Sequence, residues 1–458
     1  MSISIELVKI NAEFYFQKKI STRQRDKVQA KICQPPTSLI DTAKYWAILA
    51  ALLFCHIPPV QGDVVSDWNN HALRLTYNAR MQNFGEIATV FSLTNWAMFE
   101  AANSVERKYE SFVIDEHPSS AIDADVAVIA AAHSVLARLF PNQLAQLANA
   151  RAFSLSAYRN DKKKEDGLRY GEKVAASIFL ARTDVLITPA DSWRPQTAVG
   201  EYVPTTRLVQ SYLGNSPPWL LRTGSQFRPV APPALEGKVF AESYNEVRNL
   251  GRRTSSIRTP DMALAARFWT MSGVQVWNRA LIQAVAQSPM QLSDHARLGA
   301  LLNFAIADSY IAAWDAKFHY RLWRPITAIR NGDRINNPGL SRDATWIPLI
   351  ETPLHPEYPS GHSANAGAAI AVLQSYFGKG RHIDLKITND DFPGVARDFS
   401  SLEEMANEIT ASRIFGGIHF RFSCAVGEAL GKEIGEFAVA KFLRKIDVAE
   451  KNEGLGVK

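Results

Sequence analysis

AVIAAAHSVLARLF, residues 127–140, decides the fold class. Its apolar residues recur at helical rather than alternating spacing, and GEKVAASIFLAR (171–182) repeats the pattern. Stretches rich in Ala, Leu and Glu run from Ser66 to about Arg182. Helical patterning returns from Gly237 and continues to about Lys445, with a loop at 331–358. No strand-alternating segment of convincing length intervenes, so an all-α fold of stacked helical bundles is expected. Residues 185–235 differ. Eight prolines fall between Pro189 and Pro233, yet Trp193, Tyr202, Tyr212, Trp219 and Phe227 argue for a long ordered loop packed on the helices. His133 reads as a satisfied core histidine, and His71, His117, His295 and His382 read as solvated.

The 458 residues, 47% hydrophobic and 21% charged, supply ample core for one large domain or two intimate halves. The net charge of +6 is uneven: residues 1–62 carry eight Lys/Arg against four Asp/Glu, leaving 43 against 41 in the rest. A nucleic-acid surface is therefore not expected. A basic stretch ending at Lys44 precedes the eleven apolar residues YWAILAALLFC (45–55), too few for an ordinary membrane span and of signal-peptide length. The expected organisation is a basic leader with a signal-like segment at 1–62, an all-α domain at 63–446 and a polar tail at 447–458. The implied location is secreted or extracytoplasmic, with membrane contact only through an uncleaved leader. Cys33 and Cys55 lie in the leader, so Cys424 stands alone in the mature chain and no internal disulfide is possible there.

Three segments carry chemistry. HPEYPSGHSANAG (355–367) reads as the start of a helix built to meet an anion: Pro359 suits a first turn, Ser360 supplies a hydroxyl, and Gly361 lets the backbone come close. Upstream, AAWDAKFHYRLWRP (312–325) places Trp314, Lys317, Arg321 and Arg324 on one helical stripe, with Pro325 disfavouring helical geometry at Arg324. His319 sits on another face, as packing or surface. Downstream, ASRIFGGIHFRFS (411–423) holds Arg413 and His419 six residues apart, with Gly416-Gly417 as a break that re-aims them.

Together, Lys317-x6-Arg324-Pro325, Pro359-Ser360-Gly361-His362 and Ser412-Arg413-x5-His419 resemble the three-part signature of the type-2 phosphatidic acid phosphatase and vanadium-dependent haloperoxidase superfamily. The intervals of 33 and 49 residues between the three parts are of the usual kind. The likeness is closest to soluble haloperoxidase-like members and extends through DWNNHALR (67–74) and TGSQFRP (223–229), covering roughly 63–446. It implies that Lys317, Arg324, Ser360, Gly361 and Arg413 hold vanadate, which phosphate can replace in the same site. His419 would bond to vanadium and His362 would act as acid–base. Planar guanidinium forks suit a tetrahedral oxyanion. The implied activity is oxidation of bromide or iodide by hydrogen peroxide, with a small organic acceptor as a third partner candidate. The alternatives are an acid phosphatase acting through a phosphohistidine and a non-catalytic oxyanion-binding relative. His355 and Trp314 are the candidate halide pocket, since bromide-oxidising members tend to carry His at the former position; a plain loop histidine is the other reading. One departure is Ser423, where the family commonly has Asp. A hydroxyl accepting from the His419 ring adds no negative charge, so a less activated His419 is expected.

Overall fold

The structure, a computed structural model, describes residues 63–446 apart from 115–116, 119–120, 185–192 and 205–209. The leader, the polar tail and their proposed boundaries lie outside the described residues. Helices begin where a short polar side chain precedes an apolar face. Asp63, Asn83 and Asp123 cap α1 (Val64–Asn78), α2 (Phe84–Glu106) and α3 (Ala124–Leu139), each accepting from a first-turn amide. With α4 (Leu144–Leu155) and α5 (Lys162–Ala181) they form a first bundle in which α3 packs on α2 and α5.

The second bundle comprises α6 (Lys238–Leu250), α7 (Pro260–Phe268), α8 (Gly273–Gln287), α10 (Pro325–Arg330), α11 (Gly361–Phe377), α12 (Leu402–Phe415) and α13 (Arg421–Lys441). Between the bundles runs α9 (Leu292–Tyr320), buried along nearly all of its 29 residues. A helix apolar on every side must be surrounded by protein, and α9 packs against α2 on one flank and α11 and α13 on the other. The α11–α13 pair is the closest. A Cβ on Gly431 would lie 1.8 Å from the Ala364 carbonyl oxygen, so only glycine permits this approach.

Buried amides join helices in pairs. Asn69 of α1 and Asn95 of α2 exchange bonds of 3.0 and 2.8 Å, and Asn278 of α8 and Asn303 of α9 exchange bonds of 2.7 and 3.1 Å. Among the described residues no single helix is long and apolar enough to cross a membrane.

The described parts of the Pro-rich excursion are ordered and brace α9. Asp308 accepts from the amides of Trp219, Leu220 and Leu221 at 2.7, 2.7 and 2.9 Å, although burial pushes its carboxyl up to about 6. Arg228 grips Asp315 with two bonds of 2.6 and 2.8 Å. The Tyr320 hydroxyl donates to the Pro229 carbonyl and the Tyr358 hydroxyl to that of Val230, tying the excursion to both sides of the anion-loop candidate.

Several expectations need correction. An antiparallel pair, β1 (Leu385–Thr388) with β2 (Ala396–Phe399), interrupts the helical run; four alternating residues fall below what periodicity resolves. His295 is buried rather than solvated, because Asp63 at the start of α1 supplies its partner. His133 is only half-buried and its Nδ1 lacks a partner, so it is not a satisfied core residue. Arg321 leaves the stripe: it ends α9 in a left-handed conformation (φ 53°) and turns to Glu201.

Candidate active site

The end of α9, the loop 355–360 and the α12–α13 junction converge. Arg324 is extended (φ −78°, ψ 157°) as the cap of α10, because Pro325 follows it. Ser360 caps α11 and accepts from the Ser363 amide, so Gly361 is the first helical residue and Pro359 lies before the cap rather than in the first turn. Past Phe415 the chain turns through Gly416 and Gly417 (φ 78°), a conformation that favours glycine, and His419 emerges just before α13.

These segments enclose a cavity of about 510 Å³ lined by Trp314, His355, Gly361, His362, Arg413 and His419, with Phe84, Tyr310 and Thr270 at its sides. Lys317, Arg324 and Ser360 lie directly behind this lining and are fully buried. Lys317 Nζ donates to the carbonyls of Pro356, Glu357 and Pro359 at 2.9, 2.9 and 2.6 Å. Burial, then Arg324, pushes its pKa well below the ordinary lysine value, but three accepting oxygens are the full complement of an ammonium group. Arg324 reaches the carbonyls of His355 and Ile418, both at 2.8 Å, and the rings of His419 and His355 at 3.1 and 3.0 Å. Arg413 has weaker internal ties, to Ser412 Oγ at 3.2 Å and the Ala266 carbonyl at 3.5 Å. Burial brings both guanidinium groups down to about 10, leaving them charged at neutral pH.

All three site imidazoles are held neutral. Burial, then Arg413, pushes His362 down to about 3, and burial followed by Arg324 pushes His355 and His419 well below the usual histidine range. His362 Nε2 donates to the Met271 carbonyl at 3.2 Å; since a carbonyl only accepts, Nδ1 is the free proton acceptor. Trp314 and His355 stand ring against ring, with centroids 4.5 Å apart.

One site residue was missed by sequence reasoning: Glu357. It is fully buried, and its Oε1 lies 2.8 Å from His419 Nδ1 and accepts from the Phe420 amide at 2.9 Å. Burial pushes this carboxyl up to about 7 against the pull of Arg324 and Lys317. Ser423 does not accept from the ring as expected. Its hydroxyl donates to the Glu357 backbone carbonyl at 3.4 Å. The available signal was the lone acid inside HPEYPSGH, within a cation-rich constellation that needs a counter-charge.

Three buried cations beside one buried carboxylate and three neutral imidazoles leave an excess of positive charge at the cavity floor. Among the described residues no three His, Cys, Asp or Glu side chains gather as ligands for a cation. A multiply charged oxyanion fits this donor set: it supplies the missing negative charge and accepts from groups that can only donate.

Comparison with known proteins agrees with this geometry. Residues 297–448 match the VCPO second helical-bundle domain. The vanadium chloroperoxidase of Curvularia inaequalis is 29% identical over 187 residues, 31% of this chain and 30% of that enzyme, so the match spans under a third of its length. A crystal structure of a bacterial vanadium-dependent iodoperoxidase superposes with a TM-score of 0.72, covering 85% of this chain and 98% of the other at 22% identity. A bacterial vanadium-dependent chloroperoxidase in its apo form gives 0.64, covering 78% and 93% at 16% identity. At such identities the structural likeness is one of fold. In its helical architecture, and over residues 297–448 in sequence, this chain resembles the vanadium haloperoxidases.

Proposed function

We propose that the protein is a vanadate-dependent haloperoxidase that uses hydrogen peroxide to oxidise bromide or iodide. The excess of buried positive charge beneath a cavity bordered by His419 carries this reading. Lys317 and Arg324 order the loop and the floor, Arg413 faces the cavity with donors least committed elsewhere, and Gly361 brings the start of α11 to its edge. His419 is the ring that would bind vanadium. When bound, vanadate would supply the Lewis acidity that activates peroxide toward the halide. The protein's part is to hold charge, exclude bulk water and move protons. His362 Nδ1 takes up and returns a proton at the oxyanion, while Met271 fixes its other nitrogen.

The phosphatase alternative retains support from one observation: the Glu357 carboxylate on His419 supplies the charge that Ser423 lacks, so a phosphohistidine route is not disfavoured by that substitution. Adding vanadate to ligand-free protein separates the two. A haloperoxidase gains bromide and iodide oxidation and hydrolyses no phosphomonoester. A phosphatase works without vanadate and is inhibited by it. Export from the cytoplasm is part of the same proposal and rests on YWAILAALLFC alone; mass spectrometry of the mature N-terminus would test it.

A further inference from the structure

Arg324 can only donate hydrogen bonds. Its Nη1 lies 3.1 Å from His419 Nε2, so Nε2 must accept and carries no proton. The neutral ring therefore holds its single proton on Nδ1, which faces Glu357 Oε1 at 2.8 Å. The same oxygen accepts from the Phe420 amide at 2.9 Å, locking the carboxylate to the backbone next to the histidine it contacts. The loop carrying Glu357 is itself pinned: its amide donates to the Leu322 carbonyl at 2.9 Å, and Lys317 and Ser423 bond its own carbonyl. Among the described residues no other carboxylate reaches the ring, and Ser423 Oγ bonds to Glu357 rather than to the ring.

We infer that Glu357 is the positioning residue of His419: by accepting from Nδ1 it fixes the tautomer and ring orientation that keep Nε2 unprotonated, with its lone pair on Arg324 in the ligand-free site and available to the central atom of an oxyanion that displaces that contact. The inference rests on reading the cavity as an oxyanion site, but its first consequence can be read without any ligand. The two anions of similar shape also separate it from simple electrostatics. Vanadate can bond to Nε2 and so depends on ring presentation, whereas inorganic phosphate at equilibrium is held by charge and hydrogen bonds. Outer hydrogen-bond partners of a metal-binding histidine are worth about 10–100-fold in affinity.

The test uses ligand-free full chain labelled with ¹⁵N-histidine, followed by titration with vanadate and with inorganic phosphate. In the wild type the His419 ring should give the nitrogen shifts of an Nδ1–H tautomer. Ser423→Ala should leave that signature in place. Glu357→Leu, which removes the acceptor, should weaken vanadate about 10-fold or more while leaving phosphate unchanged or tighter, because one negative charge has gone. Two results would overturn the inference: an Nε2–H tautomer in the wild type, or a Glu357→Leu variant in which both anions weaken together or neither changes. The wild-type tautomer decides the matter even if the variant fails to fold. A wild type that binds neither anion would overturn the oxyanion reading instead, and the ring shifts would still decide the role of Glu357.

Discussion

The helix junctions Asn69–Asn95 and Asn278–Asn303 and the meeting of α9, the loop 355–360 and the α12–α13 turn are all buried polar contacts, yet they are built on opposite terms. In the amide pairs every group is neutral, each side chain both donates and accepts, and nothing is left for a ligand. Around Lys317, Arg324 and Arg413 the groups are charged and mostly donate, and among the described residues Glu357 is the one buried carboxylate beside them. A satisfied neutral network fixes packing; an under-compensated cationic one keeps a free-energy demand that only an anion meets. Polar burial alone thus does not mark a site. The sign and surplus of its charge do.

The largest effects should come from the two histidines at the cavity. His419→Ala should abolish halide oxidation and strip vanadate during gel filtration, because the nitrogen proposed to bind the metal is gone. His362→Ala should keep much of its vanadate and lose turnover on the order of 10²-fold or more, the usual worth of a positioned acid–base. Metal analysis beside bromide and iodide assays reads both. Variants that match the wild type in both measurements would place the chemistry elsewhere.

Stability measurements sharpen the contrast between the two kinds of junction. Arg413→Met removes a buried charge with weak internal bonds, so the ligand-free protein should be no less stable, and up to ~1–4 kcal/mol more so. Its vanadate retention should collapse. Asn303→Ala strands Asn278 and should cost ~1–3 kcal/mol while leaving vanadate affinity essentially unchanged. Urea unfolding of both variants, with and without vanadate, checks this. An Arg413→Met protein that is clearly less stable without ligand would mean that the cation is structural after all.

Much of this was legible in sequence, for a physical reason. Lys317, Arg324, Ser360, Gly361, His362, Arg413 and His419 sit at helix ends and caps, where local chain chemistry dictates geometry: Pro325 extends Arg324, Ser360 caps α11, and Gly417 turns the chain before His419. The converse failures are tertiary. Glu357 is a lone acid in a cation-rich motif, which signals a counter-charge but does not say that it meets a ring 62 positions away. Arg321 continued a helical stripe only on paper, since the αL turn at that residue ends the helix. His295 looked solvated because its partner, Asp63, lies in a different helix cap.

Proton coupling should be smaller but directional. In the ligand-free site His362 titrates at about 3, so its ring is unprotonated near neutrality. A bound anion raises that value, and binding then takes up a proton at any pH between the free and bound values. Vanadate affinity should therefore fall as pH rises through that window, by at most ~10-fold per unit for one proton. Calorimetry in buffers of different ionisation enthalpy should show the uptake, and His362→Gln should remove it. Stability of the ligand-free protein should move the other way. Three imidazoles whose folded values lie below the unfolded 6.5 favour folding above that pH and disfavour it progressively below. Glu357, raised from 4.5 to about 7, and Asp308, raised from 3.8 to about 6, oppose them as two groups against three, so net stability should still be lost as pH drops from 6.5 toward 5. A melting temperature that is flat or rises on acidification would show that the rings are not held neutral.

The smallest expected effect concerns halide choice at His355. Its ring lies against Trp314 with centroids 4.5 Å apart, and both border the cavity. Nδ1 accepts from Arg324 at 3.0 Å, so the ring proton resides on Nε2, a neutral donor rather than a cation. A neutral N–H beside an indole face suits a large polarisable halide, whose partial desolvation costs less than that of chloride. Wild type is therefore expected to prefer iodide and bromide over chloride. His355→Phe removes both the Nε2 donor and the acceptor for Arg324, freeing one guanidinium N–H toward the cavity while making its wall apolar. Bromide turnover should fall several-fold, within the ~0.5–1.5 kcal/mol of one neutral hydrogen bond, and the chloride-to-bromide ratio should rise. Vanadate retention should change little, because Lys317, Arg413 and His419 are untouched. Steady-state rates with the three halides, measured for both proteins at equal vanadate loading, decide it. Efficient chloride oxidation by the wild type, or equal rates after the substitution, would return His355 to the part of an ordinary loop histidine that merely supports Arg324.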